Sequence, residues 1–309
     1  MQISIIIPTH NRSKIVNKTI QNTLNVLQDK NIEFEIIVVN DGEEKVYYED
    51  KRVNIVKNQK KGVASARNYG VSLSKYENLL FFDDEMLLND QSIEILFDFF
   101  NSYKKDQFCL NIDWIYPDNL INLCKANNFG RYLIKIDYIS MKGRFCGKYW
   151  KPKDEFELPM LSSTFLAISK KNFYKVGGYN ELYPFAGFED YDFALRVKNA
   201  GIKTLLNTKI TIYHNEEDRL DINDWMARRY REGVTRAKFV KLNNDNQFLI
   251  KHKFLKRKIY ELVYLKRNLI IKITKYLDHK CFDFLTFLIF KILTGAYTWK
   301  GYKDEIQKN

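Results

Sequence analysis

The chain opens with short β-branched runs separated by stretches of helical period. "ISIIIP" (3–8) is apolar up to the proline that stops it, the pattern of a buried parallel strand. "SKIVNKTIQNTLNVLQ" (13–28) sets Ile15, Val16, Ile20, Leu24 and Leu27 on one helical face, with Ser13 as N-cap. "FEIIVVND" (34–41) is a second strand and "VNIVKN" (53–58) a third; "GVASARNYGVSLS" (62–74) is a helix and "NLLFF" (78–82) a fourth strand. This order predicts an α/β fold on a mainly parallel sheet. Such sheets bind ligands beyond the carboxyl ends of their strands. Three polar clusters follow strands at that end: Pro8–Arg12, Asn40–Asp41 and Asp83–Glu85.

Further along, "QFCLNIDWIYP" (107–117) reads as a strand, whereas 118–157 is polar and aromatic without a clear period. "STFLAISKKNFYKVGGYNE" (163–181) gives a strand and a short helix ended by Gly177-Gly178. "FEDYDFALRVKNAG" (188–201) is a helix with an acidic first turn, as the helix dipole favours. "IKTLLN" and "KITIYH" are two short strands that carry the chain to His214. Beyond a boundary near 216–221 the pattern turns to long helices, 221–242 and 253–277, with apolar residues set among lysines and arginines.

Hydrophobic residues at 45% and aromatics at 15% of 309 residues exclude a globally disordered chain. The net charge of +12 is uneven: residues 251–309 hold 14 Lys/Arg against 5 Asp/Glu. That surplus points to an anionic partner, lipid headgroups or nucleic acid. Cys109, Cys124, Cys146 and Cys281 are too scattered for a metal motif or a disulfide framework, so reduced thiols are expected. No signal peptide is expected from "MQISIIIPTHNR", and the longest nearly apolar stretch, "FLTFLIF" (284–290), is shorter than the roughly 20 residues a spanning helix needs.

"FFDDE" (81–85) places three carboxylates side by side. Asp83, Asp84 and Glu85 are either a solvated turn or oxygen ligands for Mg²⁺ or Mn²⁺, which bind few carboxylates and complete their shells with water and phosphate. Glu189 and Asp190 in "GFEDYDFALR" (187–196) either serve the helix dipole or, on a partly apolar rim, include a general base of raised pKa. His214 at a strand end is a packed residue or a third protein ligand for the same cation. No GxGxxG, P-loop or serine nucleophile elbow is present.

Taken in order, "SIIIPTHNR", "EIIVVNDG", "KGVASARNYG", "LLFFDDE" and "GGYNELYPFAGFEDYDFALRVKNAG" resemble the family 2 glycosyltransferases of the GT-A fold, over about residues 1–215. The resemblance implies a Rossmann-like mixed, mainly parallel sheet flanked by helices. It implies a catalytic domain over 1–216, with a nucleotide-sugar half to about 104 and an acceptor half from about 105, followed by a basic helical region, 217–309. It also implies that Pro8, Thr9, Asn11 and Arg12 line the nucleotide pocket, that Asp41 accepts from the uracil ring, and that Arg67 and Asn68 face the nucleotide. Asp83 and Asp84 would point toward ribose and sugar. Glu85, with Asp83 and His214, would hold a divalent cation, Mn²⁺ or Mg²⁺. Asp190 would be the base and Glu189 would position the acceptor.

These implications converge on a metal-dependent inverting glycosyltransferase with a UDP-sugar donor and a glycan or lipid-linked acceptor. The expected setting is the cytoplasm, peripheral on the inner face of the plasma membrane, in surface polysaccharide or glycolipid assembly. The basic tail 251–303 suits an anionic membrane, and its aromatics Tyr297, Trp299 and Tyr302 suit the interface. Nucleic acid is not expected, because the tail's aromatics sit in apolar runs. The rivals are a nucleic-acid- or membrane-binding scaffold and a nucleotidyltransferase; "PTHNR" lacks the glycine-rich signature the latter needs.

Overall fold

The computed structural model describes residues 1–308; Asn309, expected in the C-terminal helical region, lies outside the described residues. Strands β1 (Gln2–Thr9), β2 (Glu33–Asn40), β3 (Val53–Lys57) and β4 (Asn78–Phe82) and helices α1 (Ser13–Leu27) and α2 (Val63–Leu73) fall where periodicity predicts them. Ser13 is not the N-cap of α1. That position is Arg12, which makes no side-chain cap bond, while the Ser13 hydroxyl donates to Glu44. There follow β5 (Met86–Leu87), α3 (Asp90–Asn101), α4 (Lys104–Gln107) and β6 (Phe108–Ile115). The stretch without a clear period holds α5 (Asp118–Lys125), α6 (Asn128–Lys135), two short irregular turns and β7 (Glu155–Leu158), each too short to show a repeat. Then come β8 (Phe165–Ser169), α7 (Lys170–Lys175) and α8 (Phe188–Asn199).

The two strands expected before His214 are one, β9 (Lys203–His214), whose register against β6 shifts between Ile112 and Asp113. Such an irregularity breaks the alternation of side chains and mimics a strand end in sequence. Among the described residues four α-helices follow: α9 (Ile222–Asn243), α10 (Phe254–Leu265), α11 (Arg267–Tyr276) and α12 (Asp283–Ile306). The single helix expected over 253–277 is therefore two, separated at Lys266.

The chain divides into two compact units. The first takes residues 1–115, 145–184 and 189–215 and contains the whole sheet, in the order β3-β2-β1-β4-β8-β6-β9-β5, with β7 also on β9. Neighbours β3, β2, β1 and β4 are parallel. Strand β8 is antiparallel to both β4 and β6, and β6 is parallel to β9. Strand polarity thus puts the ends of β1, β2, β4, β6 and β9 and the start of β8 on one rim. Ile6, Leu79, Phe81, Leu166 and Ile168 of the sheet pack with Ala64 and Val71 of α2 and Phe193 and Val197 of α8, fixing both helices against the sheet.

The second unit takes 116–144, 185–188 and the residues from 216. Residues 116–144, read from sequence as part of the acceptor half, belong with the C-terminal helices. Phe129, Tyr132 and Leu133 of α6 share an aromatic core with Trp225 and Met226 of α9 and Phe290 and Leu293 of α12. In this unit Glu216 is buried and paired with Arg144 and Arg228. Residues 280–306, including α12, are long and apolar enough, by length and composition, to cross a membrane, more than "FLTFLIF" alone suggests. Helix α12 nevertheless packs closely on α9: a Cβ on Gly301 would collide with the Tyr230 carbonyl, and one on Gly233 with the Thr298 carbonyl. Both neighbours are backbone, so a methyl group forces the helices apart. Gly301→Ala is expected to destabilise the chain by about 1–3 kcal/mol in urea unfolding. A change within about 0.5 kcal/mol would show that the α9–α12 contact is loose.

Candidate active site

All the acids singled out from sequence lie in the first unit, on the rim where the parallel strands end. The loop after β1 is tied to the loops after β2 and β4. Asn11 takes the left-handed conformation, and its side-chain oxygen accepts from the Glu43 and Glu44 amides at 2.7 and 3.0 Å. Thr9 Oγ1 donates to Asp84 Oδ2 at 2.6 Å, and Arg12 Nη1 is paired with both Asp84 and Glu85. Asp84 and Glu85 are buried with Arg12, so this cation offsets the repulsion between two adjacent carboxylates. Pro8 lies inside β1, opposite Val39.

Asp41 follows β2 and accepts from the Gly62 amide at 3.0 Å and from Asn58 Nδ2 at 2.7 Å. It thereby fixes the entry to α2, where Gly62 has φ +112°. The side chain of Asn68 is spent elsewhere in the unit: its amide bonds the Tyr179 backbone at 2.9 and 2.8 Å and Glu181 at 3.0 Å.

Arg67, on the second turn of α2, is 4% exposed and meets three carboxylates. Its Nη2 donates to Asp83 at 3.2 Å, and its Nη1 lies 3.0 Å from Glu189 and 3.5 Å from Asp190. Asp83 remains 30% and Asp190 21% exposed, so these two face solvent while Glu189 does not. The DDE triplet is thus split. Asp83 joins the Arg67 cluster, whereas Asp84 and Glu85 join Arg12.

Sequence reasoning did not find the residues that hold Asp190. Because β8 runs against β4, its lead-in reaches the same rim. There the Ser163 amide donates to Asp190 Oδ2 at 3.0 Å and the Ser163 hydroxyl to Oδ1. Tyr179 OH lies 2.6 Å from that hydroxyl, and Arg67 stacks over the Tyr179 ring at 5.1 Å. The "SST" at 162–164 is an unremarkable polar triplet in sequence. Only the strand order gives it a role.

Burial raises the pKa of both Glu189 and Asp190. Glu189 reaches about 7, through burial first and the neighbouring Asp190 second, with Arg67 opposing. Asp190 is raised by burial and pulled down by Arg67 and by its two bonds from Ser163. Those donors favour the ionised form of Asp190, so at neutral pH a shared proton belongs on Glu189 and the free charge on Asp190.

Glu85 Oε1 and His214 Nε2 lie 3.0 Å apart, both buried. The pairing follows from β5, which sets Met86 opposite His214. The fit of a divalent cation can be judged from this pair. Two ligands of one octahedral ion, each about 2.1 Å from it, sit about 3 Å apart. A carboxylate with an imidazole is a donor set that Mn²⁺ and related ions accept. As they stand the two are hydrogen-bonded to each other, and they fit such an ion as two of its ligands. Asp83, also expected as a ligand, is directed to Arg67.

Residues 4–177 match glycosyl transferase family 2, and residues 148–219 match the family described as the N-terminal domain of galactosyltransferase. An uncharacterized glycosyltransferase of Rickettsia bellii is 35% identical over 101 residues, covering 30% of this chain and 14% of its own length. One from Haemophilus influenzae is 27% identical over 209 residues, covering 63% of this chain and 61% of its own. The chain therefore spans less than two thirds of these relatives. Among solved structures, the mannosyltransferase PcManGT of Pyrobaculum calidifontis, in complex with GDP-Man and Mn²⁺, superimposes with a TM-score of 0.55 at 12% identity, over 98% of this chain and 88% of that one. TarS of S. aureus superimposes with a TM-score of 0.50 at 14% identity, over 98% of this chain and 55% of that one. The fold is GT-A.

The raised Glu189 pKa has a consequence for stability. Between about pH 4.5 and 7 the folded chain holds a proton that the unfolded chain releases, so this contribution is present below 4.5 and is lost as pH rises through 7. Glu189→Gln has no such proton. Measured without metal or donor, the variant is expected to gain stability on wild type across that window, by at most about 3 kcal/mol. Parallel stability curves for the two proteins would remove the pKa assignment.

Proposed function

The chain belongs to glycosyl transferase family 2, and we propose that it transfers a sugar from a nucleoside-diphosphate donor to a hydroxyl group with inversion at the anomeric carbon. The observation that carries this reading is the Arg67 cluster. One buried guanidinium holds a partly exposed acid that follows β4, Asp83, beside a partly exposed acid at the start of α8, Asp190.

In this reading Asp83 meets the donor's ribose or sugar, and the loops after β1 and β2 receive the nucleoside. We propose UDP as the nucleotide, with Asp41 accepting from the uracil ring. Two carboxylate oxygens provide about four acceptor positions, so the existing bonds from Gly62 and Asn58 leave Asp41 capacity. Asp190 Oδ takes the proton of the acceptor hydroxyl as that oxygen attacks the anomeric carbon and the bond to the diphosphate breaks. Glu189, protonated and buried, lowers the charge that Asp190 must tolerate before reaction. Arg67 offsets the negative charge left in the cluster. Glu85 and His214 would hold a divalent cation, which supplies Lewis-acid stabilisation of the leaving diphosphate. Asp84 serves by fixing Thr9 and Arg12.

We assign the acceptor to glycans or lipid-linked saccharides assembled at the inner face of the plasma membrane. The basic charge of the C-terminal helices supports that setting.

Asp190→Asn is expected to lower turnover by about 10²–10⁴-fold while UDP affinity stays within a few-fold. A matching loss of UDP affinity would move Asp190 from the base role to donor binding. Chelation with EDTA is expected to suppress turnover, with recovery on adding Mn²⁺ or Mg²⁺. Full activity in EDTA would remove the cation from Glu85 and His214.

A further inference from the structure

The C-terminal unit carries an apolar stripe that its own core does not use. Helices of soluble domains bury the face on which apolar residues recur at three- and four-residue intervals. In α10 and α11 such faces lie open: Leu255, Ile259 and Leu262 on α10, and Leu269, Ile273 and Tyr276 on α11, follow helical spacing within each helix, and all are exposed. Leu255 and Leu262 are 71% and 60% exposed, and α10 buries none of its residues. The helix is anchored by another face, where Tyr264 meets Tyr297 of α12 with ring centroids 5.0 Å apart and Glu261 pairs with Lys303 at 2.6 Å. At the start of α12, Phe284 is also exposed.

Charge identifies the occupant. Residues 251–282 hold ten Lys/Arg against two Asp/Glu. Lys256, Lys258, Lys272 and Lys275 are interleaved with the stripe and exposed. Lysine stems lie along apolar surface while their ammonium groups reach the phosphate level, so apolar residues and cations act together at a lipid interface. Between α10 and α12, Arg267, Lys300 and Lys303 line a groove of about 350 Å³ with Tyr260, Tyr264 and Trp299. A second copy of the chain would bring the same positive charge against itself.

We propose that α10 and α11 seat this stripe in an anionic phospholipid surface and hold the chain there peripherally. Helix α12 stays in the unit: Phe290, Leu293, Trp299 and Tyr302 are buried in its cores, so Trp299 and Tyr302 are core residues and not the interface aromatics their sequence suggests, and crossing a bilayer would expose the Gly301–Tyr230 contact. The inference extends the lipid-linked acceptor reading but does not require it, since binding is read without turnover.

The test is co-sedimentation of the full chain with vesicles of phosphatidylcholine, alone or mixed with phosphatidylglycerol. Binding is expected only with the anionic lipid and is expected to weaken as salt rises. The triple variant Leu255→Gln, Leu262→Gln, Leu269→Gln is expected to lose binding about tenfold or more with an unchanged melting temperature, because these side chains are already in water. Should that variant unfold, the quadruple variant Lys256→Ser, Lys258→Ser, Lys272→Ser, Lys275→Ser tests the charge arm and is expected to lose about tenfold or more at low salt. Undiminished binding by either folded variant overturns the proposal. So does equal binding to neutral vesicles, retention in the pellet after alkaline carbonate extraction, or a lipid-free dimer that the triple variant dissociates.

Discussion

One buried cation organises the rim of this sheet. Arg67 has no counterion of its own on α2; it reaches across to Asp83 after β4 and to Glu189 and Asp190 on α8. Three carboxylates around one guanidinium leave a surplus of negative charge in a desolvated place. The least costly response is to keep a proton there, and Glu189 is the acid pushed to about 7. The same arrangement leaves Asp190 charged and partly open. Its two bonds from Ser163 fix both its direction and its ionisation. Removing Arg67 would leave those charges uncompensated, which typically costs about 3–5 kcal/mol, so the cluster is structural before it is chemical.

The second half of the sheet makes this geometry available. Four parallel strands alone would present the loops after β1, β2 and β4. The antiparallel insertion of β8 brings residues 163 and 164 to the same rim, and the Asp83 amide donates to the Thr164 carbonyl at 3.2 Å. Strand β9, parallel to β6, ends there with His214, and the two-residue β5 holds Glu85 against it. The DDE triplet is thereby divided between Arg67 and Arg12. Adjacent carboxylates in sequence become parts of two separate ion-pair networks.

Much of the first unit was legible from pattern because its strands are continuous apolar runs and its crossover helices are amphipathic. The polar clusters after those strands put Asp41 and Asp83 on the rim, and Glu189 at the start of α8 and His214 at the end of β9 reach it as well. What the sequence did not disclose has physical causes. Ser163 and Tyr179 act through an antiparallel pairing that no local pattern encodes. Arg12 reads as a pocket residue, yet it is consumed inside by Asp84 and Glu85. Asn68 reads as a nucleotide contact, yet its amide is spent on Tyr179 and Glu181. Helices α5 and α6 span eight residues each, little more than two turns, and the apolar residues of α6 belong to a core built with α9 and α12. The exposed stripe on α10 and α11 was visible as periodicity, but periodicity cannot say whether a face is covered.

The central claim is that one rim holds a donor-facing acid and a single deprotonated base, so the acceptor attacks from the face opposite the leaving diphosphate. The anomeric configuration of the product, read by the coupling of its anomeric proton in NMR with a donor of known configuration, tests this most directly. Inversion, as in a β-linked product from an α-linked donor, is the predicted result. Retention of the donor's configuration would contradict the account, because a single attack from the face opposite the leaving diphosphate can only invert it.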